Sequence, residues 1–212
     1  MIKKLLRSRK KIFVAGLPSS GSTFVYQIIR ELGYRPKKIH HFTPEKGIKL
    51  VTYRDPRDMI CSTANRQTKK NFPHLSANER YNQAYKSLFV DQPSCQDIME
   101  NYSTCPNTLL IKYEDYFGGN ELQLFKTILE FLNDNENDKK LNKVLEKYSV
   151  SKNLERANRL GKFEVYDKRT HLHGNHISNK GKIGYWKNEL PNETLALVNQ
   201  NLQPFMEKYG YQ

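Results

Sequence analysis

A short run of small residues between Gly16 and Gly21 is the part of the sequence best suited to bind an anion. It lies between an apolar stretch and the start of a candidate helix. Successive backbone N–H groups and the positive end of the helix dipole therefore converge on one point. Ser20, Ser22 and Thr23 add hydroxyl donors. The pattern predicts a cradle for a phosphate or a related anion.

The same loop lacks the lysine of a nucleotide-hydrolysing P-loop. Gly16 and Gly21 match the P-loop spacing, but Ser22 stands where that lysine would be. This difference favours a ligand other than a nucleoside triphosphate. Gly21 allows a positive φ angle or a close approach of the ligand. A purely structural alternative remains open, in which the hydroxyls only cap the following helix.

Strands and helices alternate along the chain, which predicts an α/β fold with a mainly parallel sheet flanked by helices. We expect strands at residues 12–15, 48–53 and 108–112, a short extended segment at 35–40, and helices at 23–32, 56–66, 78–90, 95–102, 122–132, 138–148 and 192–209. Residues 161–188 read as irregular. The ligand crevice of such a sheet lies at the carboxyl ends of its strands. The glycine loop, the R-D-P-R-D turn after Tyr53 and His40 would meet there.

The length and the net charge limit the classes of protein to which this chain can belong. The chain has 212 residues and a formal net charge of +13, which predicts one domain and an anionic partner. We expect a core sheet and anion site at about residues 11–132, and a helical and closing region at about 133–212. The lysines are scattered and no nucleic-acid-binding motif accompanies them. Binding to nucleic acid through charge alone is therefore the weakest interpretation.

The cysteines and the N-terminus predict a cytoplasmic protein without a membrane partner. Cys61, Cys95 and Cys105 have no metal-ligand spacing and are interpreted as reduced thiols. The apolar run at residues 12–17 is too short for the core of a signal peptide. No segment approaches the roughly 18 apolar residues that span a membrane.

Four segments, in this order, carry a resemblance to a known family. They are G-L-P-S-S-G-S-T-F at the first loop, K-I-H at residues 38–40, Y-R-D-P-R-D-M-I-C-S at residues 53–62 and N-K-G-K-I-G-Y-W-K at residues 179–187. Together they resemble the sulfotransferases that use 3′-phosphoadenosine 5′-phosphosulfate (PAPS). The likeness extends to L-L-I-K-Y-E-D-Y and the helix after it, and so covers most of the chain.

The resemblance implies a set of residues that bind the donor. The loop would surround the 5′-phosphosulfate, Arg54 and Ser62 would bind the 3′-phosphate, and two aromatic side chains would lie near the adenine. A closing loop would return to the 3′-phosphate. The implied donor-binding residues are Ser19, Ser20, Gly21, Ser22, Thr23, Phe24, Arg54, Ser62, Tyr113, Lys180 and Gly181.

The resemblance also implies the reaction, an in-line transfer of a sulfuryl group to an acceptor hydroxyl or amine. His40 would act as general base and Lys38 as a catalytic cation, and no metal ion is required. His41 is the alternative base if the register of the extended segment slips by one residue. For Arg54, the structural alternative is a surface ion pair with Asp58.

The chain departs from the family pattern at two positions. Ser19 stands where the family usually has Lys or Arg, and Asn179 where it commonly has Arg. Lys38, Lys180 and Lys182 are candidates for the charge missing at Ser19. Two other functions stay open, a nucleotide kinase with a degenerate P-loop and a non-catalytic nucleotide-binding protein on the same fold.

The acceptor and the oligomeric state are not encoded in a recognisable motif. The resemblance implies a small-molecule or carbohydrate acceptor. We expect residues 67–103 and 161–180 to line its binding site. Three histidines, His171, His173 and His176, lie in or beside a basic loop without neighbouring carboxylates or cysteines. Contact with the acceptor or with solvent suits them better than metal binding.

Overall fold

Four parallel strands form the centre of the molecule. In this computed structural model, which describes residues 7, 9–174, 177 and 181–211, they are β1 (Ile12–Gly16), β2 (Lys37–Ile39), β3 (Ile48–Tyr53) and β4 (Thr108–Lys112). Their order in the sheet is β2-β1-β3-β4, and each neighbouring pair is parallel. The predicted single α/β domain with a parallel sheet is confirmed.

Helices connect the strands and cover both faces of the sheet. They are α1 (Ser22–Glu31), α2 (Pro56–Thr63), α3 (Lys69–Asn71), α4 (Ala77–Phe89), α5 (Cys95–Ser103), α6 (Tyr113–Tyr116), α7 (Glu121–Phe131), α8 (Asp138–Tyr148), α9 (Val150–Leu160), α10 (Trp186–Glu189) and α11 (Asn192–Lys208). A π-helical turn, Ala64–Thr68, joins α2 to α3. The helix that the sequence predicts over residues 56–66 is therefore α-helical only to Thr63 and π-helical from Ala64 onward.

Alternation along β1 divides the interior into two hydrophobic cores. Phe13 and Ala15 pack on one face with side chains of α2, α4, α5 and α11. Ile12 and Val14 pack on the other face with side chains of α1, α7 and α8. Burial on both faces explains why β1 is a continuous apolar run, as expected of a central parallel strand.

The strand order reverses at β1, because the chain continues first to β2 on one side and then to β3 on the other. In an open parallel sheet, the crevice for the ligand lies at the carboxyl end of such a switch point. The loop after β1, the residue after β2 and the turn after β3 all lie at that edge. The topology therefore gathers the chemistry-bearing segments at one place.

Two elements of the second half differ from the sequence prediction. Helix α9 follows α8 directly, and Ser149 caps it by accepting a hydrogen bond from the N–H of Lys152. A small antiparallel pair, β5 (Tyr166–Asp167) and β6 (Leu172–His173), lies within the segment expected to be irregular. Both elements contribute to one wall of the crevice.

Candidate functional site

A cavity of about 460 Å³ opens at the carboxyl edge of the sheet. Its floor is the loop between β1 and α1, and its walls come from β2, from the segments after β3 and β4, and from the region of α9 and the β5–β6 pair. The predicted site residues that line it are Ser19, Gly21, Ser22, Thr23, Phe24, Lys38, His40, Arg54, Ser62, Tyr113 and Gly181. Lys180 lies outside the described residues.

The loop has the backbone geometry of an anion cradle. Gly21 adopts a φ of 87°, and a Cβ at this position would lie 2.6 Å from the hydroxyl of Tyr116. Ser19 also adopts a left-handed conformation, with a φ of 62°. Among the described side chains none caps α1. The N–H of Phe24 donates to the carbonyl oxygen of Gly21, so the first-turn N–H groups available to a ligand are those of Ser22 and Thr23. The alternative in which serine hydroxyls only cap the helix is not what the structure shows.

Ser20 takes a different position from its neighbours in the loop. Its side chain is fully buried, and its hydroxyl lies 2.6 Å from both the carbonyl oxygen of Leu17 and Oγ1 of Thr52. Its backbone N–H donates to the same Leu17 carbonyl. Ser20 therefore fixes the shape of the loop, while the hydroxyls of the flanking residues face the cavity.

Arg54 connects the loop to residues 181–186, the closing segment, which begins at Gly181 at the edge of the cavity. Its guanidinium donates to Asp58 at 2.9 Å and to the carbonyl oxygen of Lys182 at 2.5 Å. The same carboxylate accepts hydrogen bonds from the backbone N–H groups of Gly184 and Trp186. Arg54 and Asp58 are both buried, so the ion pair is not the exposed one that the structural alternative assumed.

Aromatic rings support Arg54 and line the cavity beside the loop. The guanidinium carbon lies 4.3 Å from the centre of the Tyr113 ring, and Tyr113 stacks on Phe117 with ring centres 4.3 Å apart. The Tyr113 hydroxyl donates to the carbonyl oxygen of Gly181 at 2.8 Å. Phe117 also lines the cavity, although the sequence interpretation did not single it out. Its position four residues after Tyr113 was the available signal.

Lys38 and His40 occupy the edge formed by β2. The ammonium of Lys38 donates to Oγ1 of Thr23 at 2.6 Å. Burial and the nearby charge of Arg66 lower its pKa to about 8. His40 follows the strand and faces the cavity. Partial desolvation and the charge of Lys38 lower the pKa of His40. A hydrogen bond with the backbone of Gly16 raises it by less, so the net shift is downward.

His41 points elsewhere. His41 is exposed, as is His40, but it does not line the cavity, and its carbonyl oxygen accepts a hydrogen bond from the hydroxyl of Tyr102. The alternation of side chains beyond β2 therefore places the imidazole of His40, and not that of His41, beside the loop.

The sequence interpretation missed Arg66 as a site residue. Arg66 lies in the π-helical turn and lines the cavity, with one guanidinium nitrogen 3.3 Å from Oγ of Ser19. A spacing of four residues from Ser62 would have indicated the same helix face. Of the other candidates for the charge missing at Ser19, Lys182 is exposed and contacts Arg54 through its carbonyl group.

The wall farthest from the sheet is rich in histidine and aromatic rings. His173 stacks on Phe163 with ring centres 4.7 Å apart, and Nδ1 of His171 lies 2.5 Å from the hydroxyl of Tyr166. Burial and the charges of Lys38 and Arg30 lower the pKa of His171 to about 4. His176 is outside the described residues.

Neither a metal-ligand cluster nor a membrane-spanning helix occurs in the described part of the chain. It contains no group of three or more His, Cys, Asp or Glu side chains able to hold a metal ion. No helix within residues 7, 9–174, 177 and 181–211 is long and apolar enough to cross a membrane.

Comparison with solved structures supports the fold. Mouse sulfotransferase SULT7A1 complexed with PAP is 18% identical in sequence, with a TM-score of 0.67 over 93% of this chain and 84% of that chain. Retinol dehydratase in complex with androsterone and the inactive cofactor PAP is 13% identical, with a TM-score of 0.69 over 92% of this chain and 80% of that one. At these identities, the likeness is one of fold. A comparison with curated protein sequences found no significant match.

A family model adds a sequence-level relationship. The model described as "Sulfotransferase domain" matches residues 44–210. The match includes Arg54, Ser62 and Tyr113, and it begins downstream of His40 and of the loop between β1 and α1. Because it spans well over half of the 212 residues, the chain belongs to the sulfotransferase domain family.

Proposed function

We propose that this protein transfers a sulfuryl group from PAPS to a hydroxyl or amine of a small-molecule or carbohydrate acceptor. The observation that carries the proposal is the convergence of the loop, Lys38, His40, Arg54 and Ser62 on one cavity. Membership of the sulfotransferase family supports sulfotransfer in general. The residue roles below are those that the geometry favours.

The donor fits the cavity through its two charged ends. The N–H groups at the start of α1 and the hydroxyls of Ser22 and Thr23 would hold the 5′-phosphosulfate. Arg54 and Ser62 would bind the 3′-phosphate, where a guanidinium forms charge-assisted hydrogen bonds. Tyr113 and Phe24 would border the adenine. Both structural relatives were solved with PAP, which is adenosine 3′,5′-bisphosphate, the desulfated form of PAPS. This ligand supports a nucleotide of the same type for the present protein.

The reaction would proceed by in-line displacement at sulfur. The acceptor oxygen or nitrogen forms the new bond to sulfur, and its proton passes to the imidazole of His40. The bond between sulfur and the bridging oxygen breaks, and its electron pair stays on the 5′-phosphate of the departing bisphosphate. Lys38 would stabilise the charge that develops on that oxygen, by analogy with phosphoryl transfer. The scheme has no step that requires a metal ion.

Titration calorimetry and a transfer assay test the proposal together. We expect adenosine 3′,5′-bisphosphate to bind without magnesium and more tightly than ATP with magnesium. Radiolabelled sulfate should then pass from PAPS to members of a panel of alcohols, phenols, amines and sugars. A preference for magnesium-ATP would instead support a kinase-like protein. Tight bisphosphate binding without transfer to any acceptor would support a non-catalytic binding protein.

The pH profile of kcat/KM should be bell-shaped. His40 must be neutral to accept a proton, and its pKa is lowered from 6.5, so activity is expected to fall only at acidic pH. Lys38 must be charged to attract an anion, and its pKa of about 8 places the alkaline decline near that pH. The measurement is kcat/KM between pH 5 and 10, which reports on the free enzyme.

Lys38→Arg is the matched variant for the alkaline limb. A guanidinium stays charged over this whole pH range, so the residual activity of this variant should no longer decline near pH 8. An alkaline limb that is unchanged in Lys38→Arg would mean that another group controls it.

A further inference from the structure

Two positively charged side chains lie close together beside the loop of the cavity. Lys38 and Arg66 both line it, and each is held by a hydroxyl of the same loop, Lys38 by Thr23 at 2.6 Å and Arg66 by Ser19 at 3.3 Å. The charge of Arg66 contributes to the lowered pKa values of Lys38 and His40. The folded protein thus keeps cations close enough to repel each other, a cost that a bound anion removes.

The charge balance of the cavity points in the same direction. Among its described lining residues there are two arginines, one lysine and three histidines, but no aspartate or glutamate. Arg54 donates to Asp58 and to the closing segment, and both arginines also approach Ser19, Arg54 at its carbonyl oxygen and Arg66 at its hydroxyl. The two guanidinium groups thus contact different atoms of the loop.

The local backbone is adapted to place Arg66. The segment Ala64–Thr68 is π-helical, directly after the helix that carries Ser62. Such turns are uncommon and occur frequently at functional sites. Ser19, whose hydroxyl Arg66 contacts, has a positive φ of 62°, which is also uncommon for a residue with a side chain. The Phe163 ring, 5.7 Å from the guanidinium carbon, supports the guanidinium from the outer side.

We propose that Arg66 binds the transferable sulfuryl group of the donor, beside Lys38, and supplies the positive charge that the loop itself lacks at Ser19. This inference rests on the proposed function, since it assumes that PAPS occupies the loop. The guanidinium would donate hydrogen bonds to the sulfuryl oxygens and would neither gain nor lose a proton. Transfer moves the sulfuryl group to the acceptor, so the nucleotide product lacks the group that Arg66 binds. Arg66 should therefore discriminate PAPS from the desulfated bisphosphate.

A comparison of two nucleotides tests Arg66 without knowledge of the acceptor. The affinities of wild-type protein, Arg66→Gln and Arg66→Lys for PAPS and for adenosine 3′,5′-bisphosphate are measured by titration calorimetry. We expect Arg66→Gln to weaken PAPS binding by about tenfold or more and bisphosphate binding by less than about threefold. Arg66→Lys keeps the positive charge but loses the planar guanidinium with its several N–H donors. Its affinity for PAPS should therefore lie between those of the wild type and of Arg66→Gln.

Lys70→Gln is the matched control. Lys70 lies 5.2 Å from the centre of the same Phe163 ring and pairs with Glu164, yet it is outside the cavity lining. Its replacement should leave both affinities unchanged. Retained bisphosphate binding by Arg66→Gln and Arg66→Lys shows that these variants are folded.

The outcomes separate the two proposals. If wild-type protein binds neither nucleotide, the proposed function is wrong. If wild-type protein binds both and Arg66→Gln weakens neither, or weakens both equally, only the role of Arg66 is overturned. An effect confined to the KM of an acceptor in the transfer assay would assign Arg66 to the acceptor and would likewise overturn it.

Discussion

Replacement of His40 by alanine is expected to lower kcat by about 100- to 10,000-fold, the range typical of general acid–base catalysis. The imidazole faces the cavity beside the loop, and its pKa is lowered, so the neutral form that accepts a proton predominates near pH 7. Without it, the acceptor must lose its proton to water. The measurement is the initial rate of sulfate transfer from PAPS at saturating concentrations of both substrates.

His41→Ala is a stringent control for His40→Ala. The two residues are adjacent and both exposed, but His41 lies outside the cavity lining. It contacts Tyr102 through its backbone, which the substitution leaves in place. We expect its kcat to match that of the wild type. Both variants should retain their affinity for adenosine 3′,5′-bisphosphate. Loss of kcat in His41→Ala with full turnover in His40→Ala would assign the base to the other histidine.

Replacement of Arg54 by glutamine should weaken binding of adenosine 3′,5′-bisphosphate by about 30- to 1,000-fold, which corresponds to about 2–4 kcal/mol. The guanidinium is buried over Tyr113 and oriented by Asp58, so little reorganisation is required when it meets a phosphate. The measurement is the dissociation constant by titration calorimetry at fixed salt concentration.

The ligand itself provides the control for Arg54→Gln. Adenosine 5′-phosphate lacks the 3′-phosphate, so its affinity should change far less than that of the bisphosphate. The difference between the two changes isolates the contact, as in a double-mutant cycle. Equal losses for both nucleotides would mean that Arg54 acts by holding Lys182 and the closing segment in place, and not by binding the 3′-phosphate.

The sequence determined the half of the site that lies on the sheet. Apolar runs that end at turn-forming residues located β3 and β4 to the residue and β1 to within one position. Parallel strands bring their carboxyl ends to one edge. The loop, His40 and Arg54 were thus predictable as neighbours, because local patterns and one topological rule are sufficient to bring them together.

The sequence predicted that residues 161–180 line the site, and described residues of this range line the cavity. Helix α9, which also contributes to this wall, was not predicted, and long-range contacts hold it in place. Helix α9 is mostly polar in sequence and buries Asn153 and Ala157. The Asn153 amide donates to the side-chain oxygen of Gln27 in α1 and to the carbonyl oxygen of Tyr148. A buried amide is stable only with such partners. One of these partners is 126 residues away in the sequence. Only the fold supplies it.

For Ser20 and Arg66, too, the sequence predicts less than the tertiary structure shows. Their types and positions in the sequence suggest a hydroxyl donor and a helical surface charge. The structure turns Ser20 inward, to Thr52, and carries Arg66 into the cavity on a π-helical turn. The sequence alone determined the parallel sheet and the edge at which the cavity opens, because these depend on local periodicity and on the rule for parallel strands. The tertiary structure decided which side chains line the cavity, because side-chain direction depends on packing between distant segments.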